Sequence, residues 1–100
     1  MFKDKQTIFV SSRVHPGETP ASFVLEGILN FLTQKNNEQA RILLDKFIFK
    51  IVPMLNPDGV YRGYYRLDTK AQNLNRYYTD PTLKGEPTIF GVKQALRQCR

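Results

Sequence analysis

The chain has 100 residues, of which 41% are hydrophobic, and a net charge of +6. This size suits one small globular domain or part of one, and no run approaches the roughly 20 apolar residues of a membrane-spanning helix. The single cysteine, Cys99, excludes an internal disulfide, and no Asn-x-Ser/Thr acceptor site is present. These features exclude a disulfide-rich secreted class and favour a cytoplasmic protein without a membrane partner.

The positive charge is concentrated in the second half of the chain. Residues 60–100 contain eight Lys or Arg and three acidic residues, so they carry +5 of the net charge. Such a surface suits an acidic partner, either a carboxylate-rich peptide or a nucleic acid, and it can equally be a solvated face.

The first half is predicted to form a strand, two helices and a second strand. Residues 6–12 (QTIFVSS) have β-forming residues bounded by polar ones. Thr19 and Pro20 suit the N-cap and first position of a helix. A short helix over 38–46 precedes residues 47–55, a dense β-branched run typical of a strand covered on both faces. This order favours parallel pairing. The apolar residues at helical spacing in the first helix are Val24, Ile28, Phe31 and Leu32.

The second half is less regular. NPDG, residues 56–59, has the composition of a reverse turn. Residues 60–78 are rich in tyrosine and arginine without periodicity, and a segment of that length in a compact domain is usually functional. A last helix is predicted from Pro87, with Ile89, Val92, Leu96 and Cys99 on one side. Because two parallel strands alone leave exposed edges, the predicted fold class is α/β, a fragment of a mixed, mostly parallel sheet flanked by helices.

The only histidine, His15, precedes Glu18 by three residues. Zinc binds histidine nitrogen and carboxylate oxygen, and a catalytic zinc needs three protein ligands and one open position. Pro16 disfavours helical backbone at His15, so a strand end and a helix start would have to bring the two side chains together. In isolation, H-x-x-E is a weak signal that an ordinary polar surface turn also produces.

A second group of candidates is centred on arginine. Arg66, Asn75 and Arg76 lie in the irregular segment, where guanidinium groups could bind a carboxylate or stabilise an oxyanion and an amide could hold a carboxylate terminus. They could equally be exposed loop residues. The neighbouring tyrosines could stack nucleobases, although no RNA-binding motif, paired Cys/His or glycine-rich phosphate loop accompanies them.

The motifs taken together are more specific than each alone. RVHPGETPASFV, PMLNPDGVYRGYYR and NLNR, in this order, closely resemble the zinc metallocarboxypeptidases, and within them the cytosolic carboxypeptidases that trim glutamates from tubulin and other proteins. The resemblance covers residues 8–91. It implies that residues 1–100 are part of a metallocarboxypeptidase catalytic domain with a carboxypeptidase-like fold. GVYRGYYR and NLNR are most similar to the branch that removes branch-point glutamates.

The resemblance implies a role for each candidate. His15 and Glu18 would be zinc ligands, and Arg66 would polarise the scissile carbonyl and stabilise its oxyanion. Asn75 and Arg76 would hold the C-terminal carboxylate of the substrate. The implied partners are glutamate-rich protein tails such as those of tubulin, not nucleic acid or membrane, and the implied location is the cytoplasm, near the cytoskeleton.

Two departures from the family pattern affect these expectations. Ala71 stands where the family usually has glycine. The family's third zinc ligand is a second histidine beyond NLNR, followed by a general-base glutamate, and this chain has one histidine. The spacing of Asp58, Glu86 and Cys99 does not favour them as replacements. We therefore expect the N-terminal part of a catalytic domain that is inactive alone. The alternatives are a non-catalytic paralogue that binds polyglutamate and, less favoured, a basic nucleic-acid-binding module.

Overall fold

The computed structural model describes residues 5–99, and its elements follow the predicted strand, helix, helix, strand order. The sheet in this part of the chain has two strands in parallel. This confirms the predicted α/β class and the parallel pairing. The elements are β1 (Gln6–Ser11), α1 (Pro20–Leu32), α2 (Glu38–Lys46), β2 (Phe47–Val52), α3 (Pro57–Tyr61), a 3₁₀ turn (Leu74–Arg76) and α4 (Pro87–Gln98).

The parallel register places the carboxyl ends of β1 and β2 side by side, with Ser11 opposite Val52. Hydrogen bonding continues beyond the strands: the Ser12 amide donates to the Val52 carbonyl at 3.0 Å, and the Leu55 amide donates to the Ser12 carbonyl at 2.9 Å. The segments that follow the two strands therefore leave the sheet together. These segments contain HPGE and NPDG.

The second strand is shorter than predicted. It ends at Val52 rather than Leu55, because Pro53 has no amide hydrogen to donate to a neighbouring strand. The prediction that both faces are covered is also wrong within the described residues, since Lys50 is exposed and the other strand residues are only half-buried. An α/β sheet strand with this composition would normally be buried on both faces.

Side-chain caps explain where two of the helices begin. The Asn37 carboxamide oxygen accepts from the Ala40 amide at 3.1 Å and caps α2. NPDG is the first turn of α3 rather than a reverse turn, because Asn56 Oδ1 accepts from the Gly59 amide at 2.9 Å. Thr19 precedes α1 as predicted but makes no capping bond with its side chain.

Helix α1 does not bury all of its predicted apolar residues. Leu25 and Leu32 are buried, whereas Val24 and Ile28 are 64% and 37% exposed. The structure therefore confirms the helix and leaves one apolar side of it uncovered by residues 5–99. None of the helices in this part of the chain is long and apolar enough to cross a membrane.

The core joins the strand ends to the second half of the chain. Leu55 after β2, Leu74 in the 3₁₀ turn, and Ile89 and Val92 in α4 form one buried cluster, against which Phe9 of β1 packs. Apolar burial of this kind is the main force that holds separate segments together. The cluster therefore fixes the 3₁₀ turn of NLNR beneath the carboxyl ends of the strands. On α4, Leu96 is 46% exposed and Cys99 lies just beyond the helix.

A tight loop over residues 68–72 leads into NLNR. The Asp68 carboxylate accepts from the amides of Lys70 and Gln72 at 2.9 and 2.8 Å, and the Asp68 amide donates to the Gln72 carbonyl at 2.9 Å. Inside the loop Ala71 has φ +57°, in the left-handed region that glycine occupies without steric cost. The loop keeps this shape despite the alanine, at some cost in stability.

Ala71→Gly should stabilise the chain by about 0.5–1 kcal/mol, because glycine removes the Cβ contact that disfavours left-handed backbone, partly offset by its greater freedom when unfolded. Urea denaturation followed by circular dichroism measures this. The matched control is Ala95→Gly inside α4, which should destabilise by about 1 kcal/mol. An equal decrease in the free energy of unfolding for both variants would contradict the assignment of left-handed strain to Ala71.

Candidate metal centre

His15 and Glu18 meet in the turn between β1 and α1. His15 Nδ1 lies 3.2 Å from Glu18 Oε2. The imidazole is buried, whereas the Glu18 side chain is 57% exposed and can be reached from solvent. The Glu18 amide donates to the His15 carbonyl at 3.2 Å, so the two residues are also joined through the backbone. The structure brings these two predicted ligands together without helical spacing.

The second ring nitrogen of His15 contacts Asn73, the first residue of NLNR. His15 Nε2 lies 2.9 Å from Asn73 Oδ1, across 58 positions of sequence. The same oxygen accepts from the Asn75 amide at 3.1 Å, which identifies it as oxygen rather than nitrogen. His15 Nε2 must therefore carry the hydrogen. Sequence reasoning missed Asn73, whose only signal was its place in the NLNR motif.

This tautomer determines what the histidine presents to Glu18. In the neutral imidazole with hydrogen on Nε2, Nδ1 has a lone pair directed at a carboxylate oxygen. Two acceptors 3.2 Å apart are stabilised only by a cation between them, either a proton or a metal ion. Tetrahedral zinc with bonds of 2.0–2.1 Å separates two ligand atoms by about 3.3 Å. The spacing of His15 Nδ1 and Glu18 Oε2 therefore fits two adjacent zinc ligands. Asn73 contacts the other ring nitrogen, Nε2, as the hydrogen-bond partners of metal-bound histidines do.

Backbone contacts tie the HPGE turn to the segment that contains Arg66. The Gly17 amide donates to the Tyr65 carbonyl at 2.7 Å. A Cβ built on Gly17 would lie 2.7 Å from that oxygen, and one built on Gly59 would lie 2.5 Å from Pro16 Cγ. Each glycine thus allows a close approach that no larger residue permits. HPGE, NPDG and YYR pack together through these contacts.

The predicted substrate-binding residues lie in segments attached to this turn. Arg66 follows Tyr65, is exposed, and lines a surface groove of about 460 Å³. Asn75 and Arg76 are exposed on the 3₁₀ turn that Asn73 connects to His15. The segments are brought together, whereas the roles of these three side chains remain predictions.

An apolar cavity of about 310 Å³ lies beside Glu18. Val10 of β1, Val24 and Leu25 of α1, and Tyr78 contribute to its lining. Burial raises the pKa of the Tyr78 phenol above its ordinary value, so this group keeps its hydrogen further into the alkaline range. The exposed side of α1 is thus one wall of a cavity next to the candidate metal ligands.

No group of three His, Cys, Asp or Glu side chains converges anywhere in residues 5–99. Glu86 is buried and accepts from Thr82 Oγ1 at 3.4 Å, and Cys99 Sγ donates to the Ala95 carbonyl at 3.1 Å. The described residues therefore form a pair of adjacent candidate ligands at the carboxyl edge of the parallel strands, whereas a catalytic zinc needs three protein ligands.

Comparison with known proteins identifies the family. The zinc carboxypeptidase family matches residues 2–92. Cytosolic carboxypeptidase-like protein 5 of Danio rerio is 53% identical over 95% of the chain, and cytosolic carboxypeptidase 6 of Mus musculus is 50% identical over 93%. The chain belongs to the zinc carboxypeptidase family. It spans 11% and 17% of the length of these two relatives.

Solved structures confirm the carboxypeptidase-like fold. A putative carboxypeptidase A from Shewanella denitrificans superposes with a TM-score of 0.92 at 39% identity, over 95% of this chain and 25% of its own. A metallo-carboxypeptidase from Pseudomonas aeruginosa, in complex with (2-guanidinoethylmercapto)succinic acid, gives 0.91 at 28% identity, over 99% of this chain and 26% of its own. The two strands and their helices thus match about a quarter of each of these chains.

Gly17→Ala should destabilise the chain by about 2 kcal/mol or more, because its Cβ would meet the backbone of Tyr65 and separate the HPGE turn from the Arg66 segment. Thermal unfolding measures this. Gly27→Ala is the control: nothing lies within 4 Å of a Cβ there, and alanine is favoured in a helix, so this variant should gain about 0.5–1 kcal/mol. An unchanged melting temperature for Gly17→Ala would show that the close approach is absent.

Asn73→Ala should release the His15 tautomer and destabilise the chain by about 1–3 kcal/mol, because a buried imidazole N–H and a backbone amide both lose their acceptor. Because His15 is the only histidine, ¹⁵N NMR of the imidazole reports on it alone. Asn73→Asp should keep hydrogen on Nε2, and Asn30→Ala on the exposed side of α1 should leave the spectrum unchanged. Identical ring shifts in Asn73→Ala would contradict the Asn73 contact.

Proposed function

We propose that the protein containing these residues is a zinc carboxypeptidase in which His15 and Glu18 are two of the zinc ligands. The observation that carries the proposal is the 3.2 Å contact between His15 Nδ1 and Glu18 Oε2, together with the 2.9 Å contact between His15 Nε2 and Asn73 Oδ1. Residues 5–99 bring no third such group to the pair. We propose that the third ligand and the general base come from outside this part of the chain.

The reaction proposed is hydrolysis of the last peptide or isopeptide bond of a protein tail. When bound, zinc would supply a Lewis acid and a water of lowered pKa. Arg66 would stabilise the negative charge that develops on the carbonyl oxygen, since a guanidinium gives two parallel donors. Asn75 and Arg76 would hold the free carboxylate that marks the end of the substrate. This last contact would select carboxypeptidase over endopeptidase activity.

The proposed substrates are C-terminal or branch-point glutamates of acidic tails such as those of tubulin, in the cytoplasm. Two observations support this. Residues 60–100, which include Arg66 and Arg76, carry most of the positive charge. The curated relatives are named cytosolic carboxypeptidases, and the Pseudomonas structure contains a ligand that is a succinic acid derivative, which has two carboxyl groups. Glutamate at a chain end likewise presents two carboxylates, and an arginine pair suits them.

The test uses the longest polypeptide that the reading frame encodes. We expect stoichiometric zinc and release of glutamate from tubulin-tail peptides, and we expect His15→Ala and Glu18→Gln to lose both. Arg76→Ala should raise KM at least about tenfold for peptides with a free C-terminus, because one charge-assisted pair is lost. Arg41→Ala, which removes an exposed arginine on α2, is the matched control and should behave like the unchanged protein.

Two outcomes would favour other functions. Salt-sensitive binding of polyglutamate without hydrolysis and without zinc would indicate the non-catalytic binding protein. Steeply salt-dependent RNA or DNA binding that survives His15→Ala and Glu18→Gln would indicate the nucleic-acid-binding module. Either result would overturn the proposed enzyme.

A further inference from the structure

Arg13 has an unusual backbone conformation at the point where the chain leaves the sheet. Its φ is +59°, and Ala71 is the only other non-glycine residue in the described part of the chain with positive φ. L-residues are disfavoured there because Cβ approaches the following carbonyl, so such a residue persists only where its surroundings hold it. The Arg13 carbonyl accepts from the Asn56 amide at 3.2 Å. This contact anchors the turned backbone to the segment that follows β2.

The Arg13 side chain folds over the turn that separates the two candidate ligands. Its Nε and Nη2 atoms donate to the Pro16 carbonyl at 3.0 and 2.8 Å. Pro16 is the residue between His15 and Gly17, so both bonds act on the backbone that connects the histidine to Glu18. The planar guanidinium can grip one oxygen with two N–H groups, which fixes the direction of that carbonyl.

The same guanidinium also connects the turn to helix α1. Its Nη1 atom donates to Ser22 Oγ in the first turn of the helix at 2.8 Å, and Nη2 reaches Thr19 Oγ1 at 3.4 Å. Glu18 lies between these two anchoring points, Pro16 and Ser22. The Arg13 side chain thus contacts both ends of the segment from Pro16 to Ser22, and this segment determines the distance of Glu18 from the end of β1.

Arg13 makes these contacts without neutralising Glu18. His15 is the basic group found within 4 Å of the Glu18 carboxylate, and no carboxylate in residues 5–99 lies within 4 Å of the Arg13 guanidinium. The guanidinium donates to a carbonyl and to hydroxyl groups instead. The Glu18 carboxylate is therefore left to the imidazole or to a metal ion, and Arg13 acts on the geometry of the turn.

We infer that Arg13 is a positioning residue that sets the spacing and orientation of His15 and Glu18 through the Pro16 carbonyl. The inference about spacing depends only on the contacts described above. Its consequence for zinc affinity rests on the proposed function. Arg13 touches neither candidate ligand side chain in the hydrogen bonds described, so its effect is indirect.

The variant Arg13→Gly distinguishes the contribution of the side chain from that of the backbone conformation. Glycine adopts φ +59° without strain, so the variant keeps the chain path and loses only the guanidinium contacts. Arg13→Lys keeps the positive charge but lacks the paired N–H donors of the guanidinium. Arg41→Ala is the control, since it removes an exposed arginine on α2 far along the sequence from the turn. All are made in the whole 100-residue chain.

Two measurements are made on each variant. The first, without metal, is the set of NOE contacts between the His15 ring and the Glu18 side chain, together with hydrogen exchange at the Glu18 amide. The second is titration with Zn²⁺ alone, followed by the ¹⁵N shifts of the single imidazole. In Arg13→Gly and Arg13→Lys we expect weaker NOEs, faster exchange and Zn²⁺ binding weakened about tenfold, as for partners that orient metal ligands. Arg41→Ala should match the unchanged chain.

The outcomes distinguish the inference from the proposed function. NOEs and exchange that are unchanged in Arg13→Gly would overturn the positioning role, whatever zinc does. If Zn²⁺ fails to shift the imidazole of the unchanged chain while Arg13→Gly still loses the NOEs, the positioning role stands and the proposed metal role of His15 fails. Loss of NOEs together with a tenfold weaker Zn²⁺ titration supports both.

Discussion

The parallel pairing of β1 with β2 is the constraint on which the rest of the structure depends. Parallel strands end at the same edge of a sheet. Here the backbone hydrogen bonding extends through Ser12, Leu55 and Asn56 before the two segments diverge. HPGE and NPDG therefore start from neighbouring points, close enough for Pro16 to pack against Gly59. Ligand sites of open α/β sheets lie at the carboxyl ends of strands for this geometric reason.

A second constraint is that the N–H group of the buried imidazole needs a hydrogen-bond acceptor. His15 is 7% exposed, and a buried polar group without a partner costs stability. Asn73 satisfies Nε2, and this fixes the lone pair of Nδ1 toward Glu18. The same contact holds the NLNR turn against HPGE, while Leu74 anchors that turn in the core. Packing and hydrogen bonding thus place three distant segments around one point.

Local sequence patterns predicted the elements better than their edges. Pro20 and Pro87 sit at helix starts as predicted, because their chemistry is local, whereas NPDG, predicted as a reverse turn, begins a helix at Pro57. Thr19 is the instructive failure: a residue type suited to capping makes no capping bond, because its backbone is already helical at φ −51° and ψ −38°. Its hydroxyl lies within reach of Arg13 instead. Ala71 is another case, because only the closed loop around Asp68 shows that its backbone is left-handed.

By itself, the sequence determined the order of the first four elements, the last helix, the α/β class and the motifs that indicate a carboxypeptidase, because periodicity and turn chemistry depend on neighbours a few positions away. It also indicated His15 and Glu18 as a pair, because the motifs taken together resemble those of the zinc carboxypeptidases, whereas their spacing of three positions alone is a weak signal. Only the tertiary structure decided which nitrogen of His15 faces Glu18 and which residues hold the turn. Those contacts join His15 to Asn73 and Gly17 to Tyr65, and no local pattern in a single sequence specifies a partner that lies roughly 50 positions away until the core has formed.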